Sequence, residues 1–174
     1  IERAARLAHG IVDDLMALAR GEPAHAEPVT LAEVLMLARE MLPEPGAELV
    51  DEIVPSDLRL RAHVGLLARL LHALYENAIH AKAPDRPRIV TRAERTANGR
   101  VVIEVSDDGP GVPREIASSL FDPLVTARAG GTGLGLALAR RIAQAHAGSI
   151  VLVDRAAPAS ATTGATFRID FPAA

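Results

Sequence analysis

Between residues 64 and 82 the apolar positions Leu67, Leu71, Leu74, Ala78 and Ala81 recur at steps of four and three, which lays one stripe along a helix. The same period in Leu7, Ile11, Leu15 and Leu18 predicts a helix over residues 2–20, with Gly21 as its stop. The stretch GEPAHAEP, residues 21–28, has two prolines and no apolar period, and reads as a linker. Thr30 is placed to cap another helix over residues 31–42, and Glu33 completes the pattern of a capping box. Pro43, Pro45 and Gly46 end it.

Period-two stretches come next. AELVDEIV (47–54) reads as a strand, and RIVTRAE and RVVIEVSD read as two more, joined at Asn98-Gly99, a strong hairpin signal. DGPGVP is a loop, REIASSLF a short helix, and Leu134 to Ala147 a longer helix that Gly148 closes. SIVLVDR and ATFRIDF are the final strands. This mixture, with hairpins toward the end, predicts an α+β fold: a two-layer sandwich with helices on one face of a mixed sheet.

Composition narrows the reading. Hydrophobic residues at 49% fit a folded protein, and aromatics at 2% leave the core to Leu, Ile, Val and Ala. A net charge of −3 gives no footing for nucleic acid or a membrane surface. The absence of cysteine excludes disulfides and thiolate metal sites. No apolar run approaches the roughly 18 residues that span a bilayer. The chain opens on Ile1 without a signal pattern, so it is expected to be a piece of something longer, with an upstream membrane anchor left open.

The candidate chemistry begins at GGTGLGLALARRIAQAHAG, Gly130 to Gly148, where a bare backbone precedes a helix. A helix start offers unpaired N–H groups and suits a phosphate. The stretch lacks the lysine of a Walker loop, and Leu136 stands where a dinucleotide fingerprint needs its last glycine. Gly131, Gly133 and Gly135 then make either a hinge or a phosphate cradle, with the Thr132 hydroxyl and the N–H groups from Leu134 onward as donors. Asn77 is either a solvated helix residue or a hard oxygen ligand for Mg²⁺. Lys82 and His80 are either a wet helix end or positive charge for the same phosphates. Asp107, at the end of a strand, is either turn chemistry or an acceptor for an exocyclic amine, with Gly109 and Gly111 leaving room for a flat base. Arg128 is a surface charge or a phosphate contact on a lid over residues 112–130.

Their order is more telling than any one of them. Asn77 on a long helix, Asp-x-Gly-x-Gly at 107–111, Phe121-x-Pro123 and GTGLGLALAR together resemble the ATP-binding domain of bacterial sensor histidine kinases. That family shares the Bergerat ATP fold with gyrase, the Hsp90 chaperone and the MutL repair protein. The resemblance covers roughly residues 29–172 and implies a kinase domain over 29–174, a linker over 22–28 and the end of a dimerisation helix over 1–21. It implies Asn77 as the Mg²⁺-holding residue, Asp107 as the adenine reader with Gly109 and Gly111, and LFDPLVT (120–126) as the lid's Phe box. Gly131, Gly133 and Gly135 resemble the second glycine box at the triphosphate, and Arg128 falls where many members carry a lysine.

By that resemblance the cofactors are ATP and Mg²⁺, and the reaction is transfer of the γ-phosphoryl group to a histidine. A response regulator then receives it on an aspartate. The partners are that regulator and a second kinase chain, joined through dimerisation helices, in a cytoplasmic domain whose parent is either soluble or anchored in the inner membrane. Ala73 stands where gyrase-like members carry a water-activating Glu, which argues against an ATPase that couples hydrolysis to motion. Leu124 and Val125 replace common lid aromatics. His9 lies in HGIVDDL, where Gly10 and Asp14 replace the acid and the proline that follow an acceptor histidine. It is read as a helix-face residue, with the true acceptor outside this stretch. The competing readings are an ATPase of the same fold, an adaptor that keeps the fold without catalysis, and a serine kinase of the anti-sigma type.

Overall fold

A computed structural model describes residues 25–42, 46–82, 85–126, 131–153 and 164–172. The predicted helix over 2–20, with His9, lies outside the described residues, as does Arg128. The elements are β1 (Glu27–Thr30), α1 (Leu31–Glu40), β2 (Glu48–Val54), β3 (Arg59–Ala62), α2 (Val64–Lys82), β4 (Arg88–Arg95), β5 (Val101–Asp107), α3 (Arg114–Ala117), α4 (Gly135–Ala145), β6 (Ser149–Leu152) and β7 (Thr166–Phe171).

Five strands form one sheet in the order β2-β4-β5-β7-β6, with β2 parallel to β4 and every other pair antiparallel. This is the expected two-layer α+β sandwich. Alternation assigns the faces. Ile89 and Ala93, Val101, Ile103 and Val105, and Phe167, Ile169 and Phe171 all point into the core. On the other face Glu52, Arg92, Glu104 and Arg168 stand in register across four strands. Arg92 meets Glu52 at 2.6 Å and Arg168 meets Glu104 at 3.7 Å. Such half-exposed pairs add little stability each, but opposite charges in register suit a face left to water.

Three helices cover the inner face, α2 lying between α1 and α4. The stripe of α2 is buried at Leu67, Leu71, Leu74 and Ala78, each leucine worth about 2 kcal/mol of removed apolar surface. Ala81, counted with that stripe, is exposed instead. Beneath α2, the Tyr75 hydroxyl and Thr91 Oγ1 share a hydrogen bond of 2.9 Å inside the core.

The capping box forms as expected, with Thr30 Oγ1 accepting the Glu33 N–H and Glu33 reaching back to the Thr30 N–H at 2.9 Å. The Asn98-Gly99 hairpin also forms, Gly99 taking φ 82. Two short strands escape the periodicity. β1 begins at Glu27, inside the stretch read as linker, and pairs with β3 as a separate two-stranded sheet. The end of α4 differs as well. Ala147 takes the left-handed turn (φ 53), and the Gly148 N–H closes on Ala143 O at 2.8 Å. Gly148 is there for space: a Cβ on it would stand 2.7 Å from Asp170 O and 2.8 Å from Phe171 Cδ1.

Candidate functional site

The rotation of α2 is set by its buried leucines, so the residues beside that stripe come to its border. Ala73, Glu76, Asn77, His80 and Ala81 there form one wall of a cavity of about 590 Å³. The loop after β5 supplies a second wall through Pro110, Gly111 and Val112, with Ile116 and Leu120 as its apolar floor. Thr126, residues 131–133, Gly135 and Leu136 make the third. His80 Nδ1 lies 2.8 Å from Glu76 O. A carbonyl only accepts, so Nδ1 carries the proton and Nε2 is left for a ligand.

On the glycine-loop side, α4 begins at Gly135 after Leu134, and no side chain among the described residues caps it. The first N–H groups of a helix lack intrahelical partners and suit an anion. Thr132 Oγ1 accepts the Leu134 N–H at 3.4 Å, which ties the loop to the helix start. Gly133 has φ +64, and a Cβ on it would lie 2.5 Å from Leu124 C and 2.8 Å from Val125 N. The Leu124 N–H donates to Gly133 O at 3.0 Å, so the end of the predicted Phe box rests backbone to backbone on the glycine loop. Only glycine permits both the left-handed φ and that approach.

At the far end, β5 delivers Asp107. Its Oδ1 accepts the Gly109 N–H at 2.8 Å and the Ala165 N–H at 3.3 Å, while its own N–H donates to Ala165 O at 3.0 Å. Burial pushes the Asp107 carboxyl above the usual carboxylate range; the two N–H groups and Lys82 oppose this, and Asp108 adds to it. The chain crosses Asp107 at Gly164, where a Cβ would sit 1.7 Å from Asp107 O. A Cβ on Gly109 would stand 3.9 Å from the Ala81 methyl, which puts this turn beside the cavity wall.

Of the residues singled out in the sequence, Asn77, Gly111, Gly131, Thr132, Gly133 and Gly135 line the cavity. Asp107, Gly109 and Leu134 flank it without forming its wall. Lys82 is placed elsewhere: its Nζ pairs with Asp108 Oδ2 at 2.7 Å, so its charge is engaged by a carboxylate. Leu120 belongs to the stretch read as the Phe box, while sequence reasoning missed Glu76, which only the packing reveals, and Gly164 and Ala165. The last two meet Asp107 because β7 lies beside β5, and no local pattern announces that.

Residues 63–174 match the family described as histidine kinase-, DNA gyrase B-, and HSP90-like ATPase. A sensor histidine kinase ZraS of Klebsiella oxytoca is 33% identical over 147 residues, covering 80% of this chain and 31% of that protein. The chain thus spans about a third of the length of that curated relative. A mycobacterial sensor histidine kinase, MprB, superposes with a TM-score of 0.72 at 24% identity, covering 84% of this chain and 97% of that one. Full-length ShkA, solved in complex with AMPPNP, gives a TM-score of 0.72 at 25% identity, over 94% of this chain and 35% of that one. No helix among the described residues is long and apolar enough to cross a membrane.

Proposed function

The chain belongs to the histidine kinase-, DNA gyrase B-, and HSP90-like ATPase family, as an ATP-binding catalytic domain of the sensor histidine kinase type, and we propose that its cavity takes Mg-ATP for phosphoryl transfer to a histidine on a dimerisation helix. The observation that carries this reading is that one cavity is bordered both by Asn77 and by the start of α4, which no side chain among the described residues caps, with the Asp107 turn beside its wall.

The roles follow from the geometry. Asp107 Oδ1 is committed to two backbone N–H groups, so Oδ2 is the acceptor for the exocyclic amine of adenine. Pro110 and Gly111 give the base a flat wall. The phosphates run toward Thr132 and the first N–H groups of α4, and His80 is the histidine of the α2 wall that would meet them through Nε2. Ile116, Leu120 and Leu136 exclude water from the tail.

Asn77 brings one hard oxygen to the cavity wall, and no group of three His, Cys, Asp or Glu that would cage a metal stands among the described residues. That donor set fits Mg²⁺, which takes few protein ligands and completes its shell with phosphate and water. When bound, the ion supplies charge neutralisation for the phosphates. The chain's own work is to orient the nucleotide and keep water out. Ala73 places a methyl where a water-activating Glu would stand, so the phosphoryl group is kept for the acceptor.

The acceptor belongs to a helix other than that of His9, a second chain completes the dimer, and a response-regulator aspartate takes the group onward. Arg128, which stands in the sequence where many members of the family carry a lysine, is the proposed phosphate contact of the lid. Calorimetry with Mg-ADP and a nonhydrolysable Mg-ATP analogue tests the site, on this chain and on Asp107→Ala. Micromolar binding abolished by the substitution is the expected result. No binding to the unmodified chain sinks the reading in favour of a partner-binding adaptor, and binding that survives Asp107→Ala puts the adenine elsewhere.

A further inference from the structure

Lys82 closes α2, and Asp108 follows β5, 26 positions further along the chain. Their side chains meet at 2.7 Å with 26% and 30% of their surface exposed. The other oxygen of Asp108, Oδ1, accepts the backbone N–H of Arg88 at 2.9 Å, where β4 begins. One carboxylate therefore fastens three elements: the last turn of α2, the first residue of β4 and the turn after β5. That helix carries Asn77 and that turn carries Asp107, the two residues assigned to opposite ends of the nucleotide. The Lys82 bond, with the Arg88 N–H, holds Asp108 below the usual carboxylate range, so the pair stays ionised at neutral pH.

We propose that Lys82 and Asp108 are positioning residues of the site, whose ion pair holds the Asp107 turn against the end of α2 and keeps the purine-reading carboxylate in register with Asn77. This rests on the nucleotide reading given above. The pair acts on Asp107 in two ways, by geometry and by charge. Among the described residues the charged groups that act on Asp107 are Asp108, which opposes its ionisation, and Lys82, which favours it. The Gly109 and Ala165 N–H groups bear on it directly.

The two substitutions therefore have opposite charge effects. Lys82→Met leaves the Asp108 carboxylate unpaired beside Asp107, so Asp107 takes up its proton at a higher pH. Asp108→Asn removes the repelling charge and keeps Lys82, so Asp107 takes up its proton at a lower pH. A brace with only a structural role would loosen the turn in both variants and move neither midpoint.

The test uses the whole chain, with amide NMR of Gly109 and Ala165 followed from about pH 8 down to about pH 4, beside calorimetry with ADP. Both amides donate to Asp107 Oδ1 and report its protonation without any nucleotide. The expected result is an upward shift of the midpoint in Lys82→Met, a downward shift in Asp108→Asn and none in Lys82→Arg. ADP affinity near neutral pH falls about two- to fivefold in the first two, the reach of a part-exposed pair, and is retained in Lys82→Arg. Midpoints that stay put, or that move the same way in both variants, overturn the proposal, as does unchanged ADP affinity. If the unmodified chain fails to bind ADP, the nucleotide reading falls and takes the affinity part of the proposal with it, while the amide titration still decides whether the pair governs Asp107. The dispersion of the amide spectrum shows that each variant is folded.

Discussion

The backbone N–H of His63 donates to Nε2 of His146 across 2.9 Å, joining the start of α2 to the end of α4. His146 Nδ1 in turn donates to Ile142 O at 2.8 Å. Both ring nitrogens are thereby used, and the ring is neutral with its lone pair toward His63. The start of α4 meets the middle of α2 at the cavity, where a Cβ on Gly135 would lie 3.9 Å from the Ala73 methyl. The histidine contact thus ties the end of α4 to the start of α2, while the other end of α4 lies on α2 where the two helices line the cavity.

Burial holds His146 below the usual histidine range, with the charge of His63 adding to this and the Ile142 bond opposing it. The sign follows directly. Above about pH 6.5 the ring is neutral in folded and unfolded chains alike; below it the unfolded chain takes up the proton first, so stability is lost as pH falls. Urea unfolding at neutral pH and about one unit lower should show that loss, with a slope from this group of at most about 1.4 kcal/mol per pH unit. In His146→Gln the slope should flatten. An identical slope in that variant would show that His146 is not the sensor.

Gly133 and Gly135 make a contrasting pair. Gly133→Ala forces a Cβ into the Leu124 backbone at a left-handed φ. It should cost about 1–3 kcal/mol and reduce nucleotide affinity at least about tenfold, a loss of about 1.4 kcal/mol in binding. Gly135→Ala meets only ordinary contact with Ala73, and alanine favours a helix by up to about 1 kcal/mol. It should leave the melting temperature level or raised while still weakening the nucleotide, because its methyl enters the cavity. Melting curves paired with calorimetry separate the two, and a destabilised Gly135→Ala would contradict this account.

The chain has one tyrosine, which makes Tyr75 easy to follow. Burial pushes its hydroxyl up to about 12, against the Thr91 bond that opposes the rise. Absorbance titration of the folded protein should show no phenolate near pH 10, where the unfolded chain ionises; alkaline stability should fall above that point. Tyr75→Phe leaves the Thr91 hydroxyl buried without its partner and should cost about 1–3 kcal/mol. Adding Thr91→Val should restore part of that loss, since both polar groups are then gone. A double variant weaker than the sum of the single changes would refute the pairing.

Much of this was readable in advance wherever the cause is local. Leu67, Leu71 and Leu74 announce α2, Thr30 and Glu33 announce the start of α1, and the three glycines of the 131–135 loop announce the bare backbone that lines the cavity before α4. What escaped depends on distant chain. β1 and β3 are four residues each, too short for alternation to show, and each exists because the other lies beside it. Ala81 keeps the spacing of the core stripe, yet what stands opposite it is the turn at Gly109 and the cavity. Lys82 looks like a cation waiting for phosphate until the fold brings Asp108 to it. Gly148 sits where a helix-ending glycine belongs, but Phe171, from the last strand, is the reason for it.

The contact between Asp107 and Ala165 also sets an order in time. A chain leaves the ribosome from its N-terminal end, so Asn77, the β4–β5 hairpin and the start of α4 are all made before Gly164 and Ala165 exist. Until those two residues emerge, Asp107 has no acceptor for its N–H and only one of the donors that orient its carboxylate. On the proposed nucleotide reading, the adenine end of the site is therefore the last part of the domain to be finished. By the same reading cellular ATP, present throughout translation, meets a complete pocket only after β7 has closed the sheet, and so stabilises finished domains over nascent ones.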